Sequence, residues 1–243
     1  LTAMAEFASG RNELITLHLN ETPVCERVVR GRTGLEPAAW LQRAGFLGPN
    51  VLLVHCINVS DDEIALIRAS GASVSYNPVS NMYMGNGVAP IPKLIEAGVP
   101  VGLATDGAAS NNRQDMVEVI KAAVLLQRAA HRTGKVMSGR QSVDLATRGS
   151  AASLSRSDSL GTLEIGKRAD IVLFDFLSVA SSVPSHDPVS TLAFSARPSS
   201  TRWVIVGGDV VLDDGELPNL DEGAALAAAQ GSARRILTSV GAI

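Results

Sequence analysis

Short apolar runs recur at 13–19, 51–56, 72–76 and 99–104. Each is too short to hold a helical period and is bounded by turn residues, the mark of a buried strand. Helical patterns fill the spaces between them. Residues 1–11 read as the tail of a helix, apolar at Leu1, Met4 and Phe7 or Ala8. Residues 22–46 hold helical segments broken by Pro23 and by Gly31-Arg-Thr-Gly34; Pro37 and Gly45 bracket the second of them. Ser60-Asp-Asp-Glu63 is a capping box that opens a helix over 61–70, with Ile64, Leu66 and Ile67 inward. Residues 77–90, rich in Gly, Asn and Met, read as a long loop, and a helix over 92–97 stops at Gly98. Met116, Val119, Ile120, Ala123, Val124 and Gln127 form one stripe of a helix over 115–131. A further helix over 142–153 takes Ser142 as its cap. Strands alternating with helices at this rhythm predict a parallel sheet.

From Leu160 the texture changes. Residues 171–174, 203–206 and 210–212 are short strands separated by Gly and Asp turns, and 221–240 is an Ala-rich helix. The pattern divides the chain into an α/β domain over 1–158 and part of a small β-domain with its helix over 159–243.

Composition narrows the classes. Of 243 residues, 46% are hydrophobic and 19% charged, enough apolar material for a large core. The net charge of −3 and the lack of a basic patch argue against a nucleic-acid partner. No apolar run reaches membrane-span length. Cys25 and Cys56 do not make a disulfide framework, which points to a reducing cytoplasm.

Three of the apolar runs end on chemistry. Leu14-Ile-Thr-Leu-His18-Leu-Asn-Glu21 ends on a histidine and a glutamate, Val51-Leu-Leu-Val-His55-Cys56 on a histidine, and Gly102-Leu-Ala-Thr-Asp106-Gly on an aspartate. A lone Asp-Gly marks a turn or a helix cap. Metal-capable or acid–base groups at the same end of successive strands instead mark the catalytic face of a parallel barrel. Imidazole with carboxylate favours zinc and is compatible with iron(II).

These stretches resemble the amidohydrolase superfamily, within it the cytosine-deaminase-like branch of guanine deaminase, methylthioadenosine/S-adenosylhomocysteine deaminase and the triazine hydrolases. The resembling pieces are His18-Leu-Asn-Glu21, the Val-His55-Cys strand end, Asn77-Pro-Val-Ser-Asn81 and Thr105-Asp106-Gly-Ala-Ala-Ser-Asn-Asn112. Leu163-Glu-Ile-Gly-Lys-Arg-Ala-Asp170-Ile-Val-Leu and His186-Asp-Pro-Val-Ser follow in order.

The resemblance implies an α/β fold: the C-terminal half of a metal-dependent (β/α)8 TIM barrel plus part of a small β-sandwich. His18, His55 and Asp106 would sit on the fifth, sixth and eighth strands. The family's paired His-x-His on its first strand has no counterpart, because the other histidines are His131 and His186. A full barrel takes about 250 residues by itself, so the chain reads as the C-terminal part of a longer protein.

The implied activity is hydrolytic removal of an exocyclic amine from a purine, adenosine derivative, pyrimidine or s-triazine, by water activated on one divalent metal, zinc or iron(II). The metal ligands would be His18 and Asp106. Glu21 would shuttle a proton to the ring, His55 would hydrogen-bond the attacking group or the leaving group, and Asp106 would also accept a proton. Ser110 would line the substrate pocket. The alternatives are a chlorohydrolase or cyclic-amide hydrolase of the same superfamily, and an inactive truncated relative acting as a binding or assembly module. The partners expected are a small heterocyclic substrate and, at full length, further copies of the protein; nucleic acid and membrane are not expected.

Overall fold

The computed structural model of the chain describes residues 2–9 and 13–242. Helix α1 (Thr2–Ser9) buries Ala8 and leaves Met4 and Phe7 exposed; Leu1 and residues 10–12 lie outside the described residues. The apolar runs form β1 (Ile15–Leu19), β2 (Val51–His55), β3 (Ser73–Tyr76) and β4 (Val101–Leu103). All pair in parallel, in the order β1-β2-β3-β4. In sequence, α2 (Pro23–Thr33) and α3 (Pro37–Arg43) follow β1, and α4 (Asp61–Ser70) follows β2. Helices α5 (Pro78–Tyr83) and α6 (Ile91–Glu96) follow β3. After β4 come α7 (Ala108–Asn111), α8 (Met116–His131), α9 (Gly139–Asp144) and α10 (Ser150–Ser153). This is the α/β fold with a parallel sheet that the strand–helix rhythm predicts.

Register sets where chemistry can go. Leu19 pairs with His55 and His18 with Val54, so β1 and β2 end level with each other. Tyr76 pairs with Leu103, which carries the chain on to Asp106. Behind these tips lies one apolar core in which Val51, Leu53, Ile67, Val74, Leu94 and Val124 are fully buried. Each contributes about 1.5–3 kcal/mol by leaving water. The predicted stripe of α8 is the buried one: Val119, Ile120, Ala123, Val124 and Gln127 face inward, and Asp115 caps the helix by accepting from Val117 N at 2.9 Å.

The structure departs from the sequence reading in two places. The stretch 77–90 contains α5, which starts on Pro78 and is too short for a helical period to show. The helix placed at 142–153 begins earlier, at Gly139, where Ser138 and Gln141 cap each other's backbone. Ser142 is buried and donates to Ile120 O at 2.6 Å. The chain then runs through a π-helical turn, Leu145–Gly149, into α10. That helix lies on β4 because two glycines allow it. A β-carbon at Gly102 would lie 2.8 Å from Ser150 Cα, and one at Gly149 would strike Val101 O.

The second sheet is antiparallel, β5 (Ile171–Phe174), β6 (Thr201–Val206) and β7 (Asp209–Leu212) in that order. Gly207 and Gly208, both with positive φ, make the β6–β7 hairpin turn. Helix α11 (Pro188–Phe194) precedes β6, and α12 (Glu222–Ser239) ends the chain with no buried residue. Among the described residues no helix is long and apolar enough to cross a membrane.

The outer edges of β1 and β4 pair with no strand among the described residues. Open edges of a parallel sheet recruit other chains. Leu1–Ile243 expressed alone is expected to elute from gel filtration as a mixture of associated species. A sharp monomer peak at millimolar concentration would show that these edges are protected.

Candidate metal centre

Left-handed backbone occurs at each chemistry-bearing strand end. Asn20, His55, Cys56 and Asp106 have φ of 48, 72, 51 and 65°. Asn and Asp tolerate this region; for His and Cys it costs about 1–2 kcal/mol each. The cost at β2 is offset locally: Cys56 N donates to Leu19 O at 3.0 Å, and the His55 ring is fully buried. Such turns take the side chains out of strand alternation and aim them across the tips.

Three of these side chains converge. His18, Glu21 and His55 each offer a ligand atom, and these atoms all lie within 4.8 Å of one another. Glu21 Oε2 is 3.2 Å from His18 Nδ1 and 3.8 Å from His55 Nε2, the second being too long for a hydrogen bond. The two imidazoles meet edge to face, with centroids 4.7 Å apart. Glu21 Oε1 accepts from Asn86 Nδ2 at 2.8 Å. His55 Nδ1 lies 2.8 Å from Asn81 Oδ1. That oxygen can only accept, so Nδ1 carries the proton and Nε2 is left with its lone pair. Nε2 is buried and has no hydrogen-bond partner. Two imidazoles and a carboxylate are donors that zinc takes, and the unmet Nε2 gives a polar or cationic guest a reason to sit there.

Asp106 stands at the tip of β4, outside that group of three. Its Oδ2 accepts from Ser80 Oγ at 2.5 Å and from Ser110 Oγ at 2.9 Å. Burial pushes its acidity toward the neutral form. The hydrogen bonds from Ser80, Gly107 N and Ser110 outweigh it and hold the carboxyl below its ordinary pKa. Gln114 Nε2 donates to Asp106 O at 2.9 Å, and Asn111 Nδ2 to Thr105 O at 2.7 Å, so the loop is fastened on both sides.

The sequence reading assigned the metal to His18 and Asp106. In the structure, His18 clusters with Glu21 and His55, while Asp106 lies outside that group and is held by Ser80 and Ser110. Ser110 spends its hydroxyl on Asp106 and on Gly107 O. Ser80 and Asn81, in the stretch read as a long loop, each hold a member of the site, and Asn86 was not singled out at all. Cys56 is a core residue: burial, and then the charge of Glu63, push its thiol far up. His131 bonds its own helix at Gln127 O, and His186 is exposed in the turn before α11.

Comparison with known proteins gives the family. The model of the Amidohydrolase family matches residues 1–211. The chain belongs to the amidohydrolase family. It is 37% identical over 224 residues to the 5-methylthioadenosine/S-adenosylhomocysteine deaminase of Desulforudis audaxviator, covering 92% of this chain and 52% of that one. Among solved structures, the amidohydrolase chain matches a zinc-bound adenosine deaminase from Xanthomonas campestris with a TM-score of 0.94 at 30% identity, over 98% of this chain and 54% of that one. It also matches the zinc complex of atrazine chlorohydrolase from Arthrobacter aurescens TC1, with a TM-score of 0.89 at 29% identity, over 95% and 51% of the two chains. The chain spans about half the length of the curated relatives it matches.

Asn81 is expected to matter through His55. Asn81→Ala should lower turnover roughly 10–100-fold, because the ring loses the bond that fixes its tautomer. Asn81→Asp, which still accepts from Nδ1, should stay close to the parent. Steady-state kinetics beside zinc analysis by atomic emission check this, and parent-like turnover in Asn81→Ala would refute it.

Proposed function

We propose that this amidohydrolase chain carries half of the site of a metal-dependent aminohydrolase. The substrate is a nitrogen heterocycle bearing an exocyclic amine, foremost an adenosine-type purine. The observation that carries the reading is the convergence of His18, Glu21 and His55, with a buried Nε2 left unmet. The named deaminases and the zinc in the solved relatives support it.

His18 and Asp106 would hold one divalent ion, zinc first and iron(II) second. When bound, the ion would act as a Lewis acid, making a water acidic enough to be a nucleophile near neutral pH. Asp106, kept below the ordinary carboxylate range, holds its negative charge for a cation and accepts the proton of the attacking water. Glu21, with Oε1 tethered by Asn86, delivers a proton to the ring nitrogen as the new carbon–oxygen bond forms. His55 directs Nε2 at the attacking water or the departing amine. As the carbon–nitrogen bond breaks, the amine takes the proton that Asp106 accepted from the water and leaves as ammonia, while the hydroxyl proton of the collapsing adduct returns to Glu21. Ser110 stands beside Asp106 at the rim of the substrate pocket. Residues 1–158 make up the catalytic domain in this reading. The protein works in the cytoplasm, where Cys25 and Cys56 remain free thiols, and assembles with copies of itself.

A second reading, loss of chloride from an s-triazine, has the chlorohydrolase match in its favour. Matched amino- and chloro-substituted rings separate the two by the ion released.

Glu21→Gln should keep metal and substrate binding while turnover falls roughly a hundredfold or more. Asp106→Asn should lose both metal and turnover, since a ligand and a proton acceptor are weakened together. Ammonia release on a heterocycle panel, with metal content measured on the same samples, decides. Zinc bound without any turnover would favour a binding module. Activity in Asp106→Asn within about tenfold of the parent would remove the central assignment.

A further inference from the structure

We propose that Glu63, a buried carboxylate outside the metal-binding cluster, positions Glu21 for proton transfer by anchoring Asn20. Glu63 is 2% exposed and lies in the first turn of α4. Its Oε1 accepts from Asn20 Nδ2 at 3.1 Å and from Ala38 N at 3.0 Å. Its Oε2 accepts from Ser60 N at 3.0 Å and, at longer range, from Asn20 Nδ2 and Ser60 Oγ. Every partner donates, and no lysine, arginine or histidine pairs with Glu63 among the described residues. A capping box needs only Ser60 and the helix end. This one extends its other oxygen to the tip of β1.

Asn20 is where that reach acts. It is 2% exposed, its φ is +48°, and it sits between His18 and Glu21 in the chain. Its side chain also donates to Asn58 O, and its carbonyl accepts from Asn58 N. Both ends of the residue are therefore clamped in a left-handed turn. That turn brings Glu21 back so that Oε2 lies 3.2 Å from His18 Nδ1. Without the clamp, the chain relaxes toward ordinary backbone and the carboxyl swings away from the imidazoles. Displacing a proton-transfer group by an ångström costs on the order of a hundredfold in rate.

The inference rests on the proposed role of Glu21, and the test separates the two. In the metal-loaded protein, Asn20→Gly keeps a backbone that accepts positive φ and removes only the anchor. Glu63→Gln keeps volume and replaces one acceptor with a donor. Each should lower kcat roughly tenfold or more, with KM within about threefold and zinc content unchanged. The double variant should be no slower than the worse single, because both act through one contact. Ser138→Ala, which weakens the cap of α9 and touches neither Glu63 nor Asn20, should lower the unfolding midpoint and leave kcat in place. In the crystal structure of Asn20→Gly, Glu21 Oε2 should lie beyond hydrogen-bond reach of His18 Nδ1. Parent kcat in both single variants, with stability alone reduced, would overturn the inference, as would additive losses in the double variant. If the parent releases no ammonia, the proposed function fails. The Glu21–His18 separation in Asn20→Gly then still decides the positioning claim, and a retained 3.2 Å contact would sink it.

Discussion

His55 Nε2 is sealed from water with no hydrogen-bond partner, a state that costs about 1–3 kcal/mol when nothing meets it. The chain accepts a further expense to put it there, since both His55 and Cys56 take left-handed backbone. A core of fully buried Val, Leu and Ile side chains behind β2 and β3 is large enough to absorb these costs. Local backbone strain beside a buried polar atom is the signature of a functional site. The surrounding contacts make sense on that footing. Asn81 fixes which nitrogen carries the proton, and Glu21 faces the nitrogen that does not.

One short segment after β3 supports the other members of the site. Within 80–86, Ser80 donates to Asp106, Asn81 accepts from His55, and Asn86 donates to Glu21. Three side chains from three strand ends thus depend on a single turn of helix and the loop behind it. Its own position is fixed from below: Gln127 of α8 donates to Ala89 O and to the buried Tyr76 hydroxyl. The packing of α8 on the sheet is therefore connected to the geometry of the chemistry. Substitutions far from the cluster that shift α8 should be felt there first.

Much of this was legible in the residues. The strands showed because each is a short apolar run, and α8 showed because its stripe repeats over enough turns for a period to emerge. His18, Glu21, His55 and Asp106 stood out as candidates because they fall at the ends of those runs. What stayed hidden has physical reasons. Helix α5 is shorter than two turns, so periodicity is silent there. The roles of Ser80, Asn81 and Asn86 depend on tertiary distances to residues far away in sequence. Glu63 looked like half of a capping box, which it is; that its second oxygen reaches Asn20 is set by how α4 packs against β1. Ser142 was read as the cap; the hydroxyl that caps the helix is that of Ser138, and Ser142 is buried and donates to Ile120 O, a contact set by how α9 packs on α8.

In the proposed reading, the tips of β1, β2 and β4 form one half of a zinc site. Anomalous scattering at the zinc edge from crystals of the metal-loaded protein tests it most directly. One zinc should be bonded to His18 at about 2.0–2.1 Å, lying among Glu21, His55 and Asp106. Zinc bound elsewhere, or full turnover of an amine-bearing heterocycle by protein stripped of metal, would contradict it.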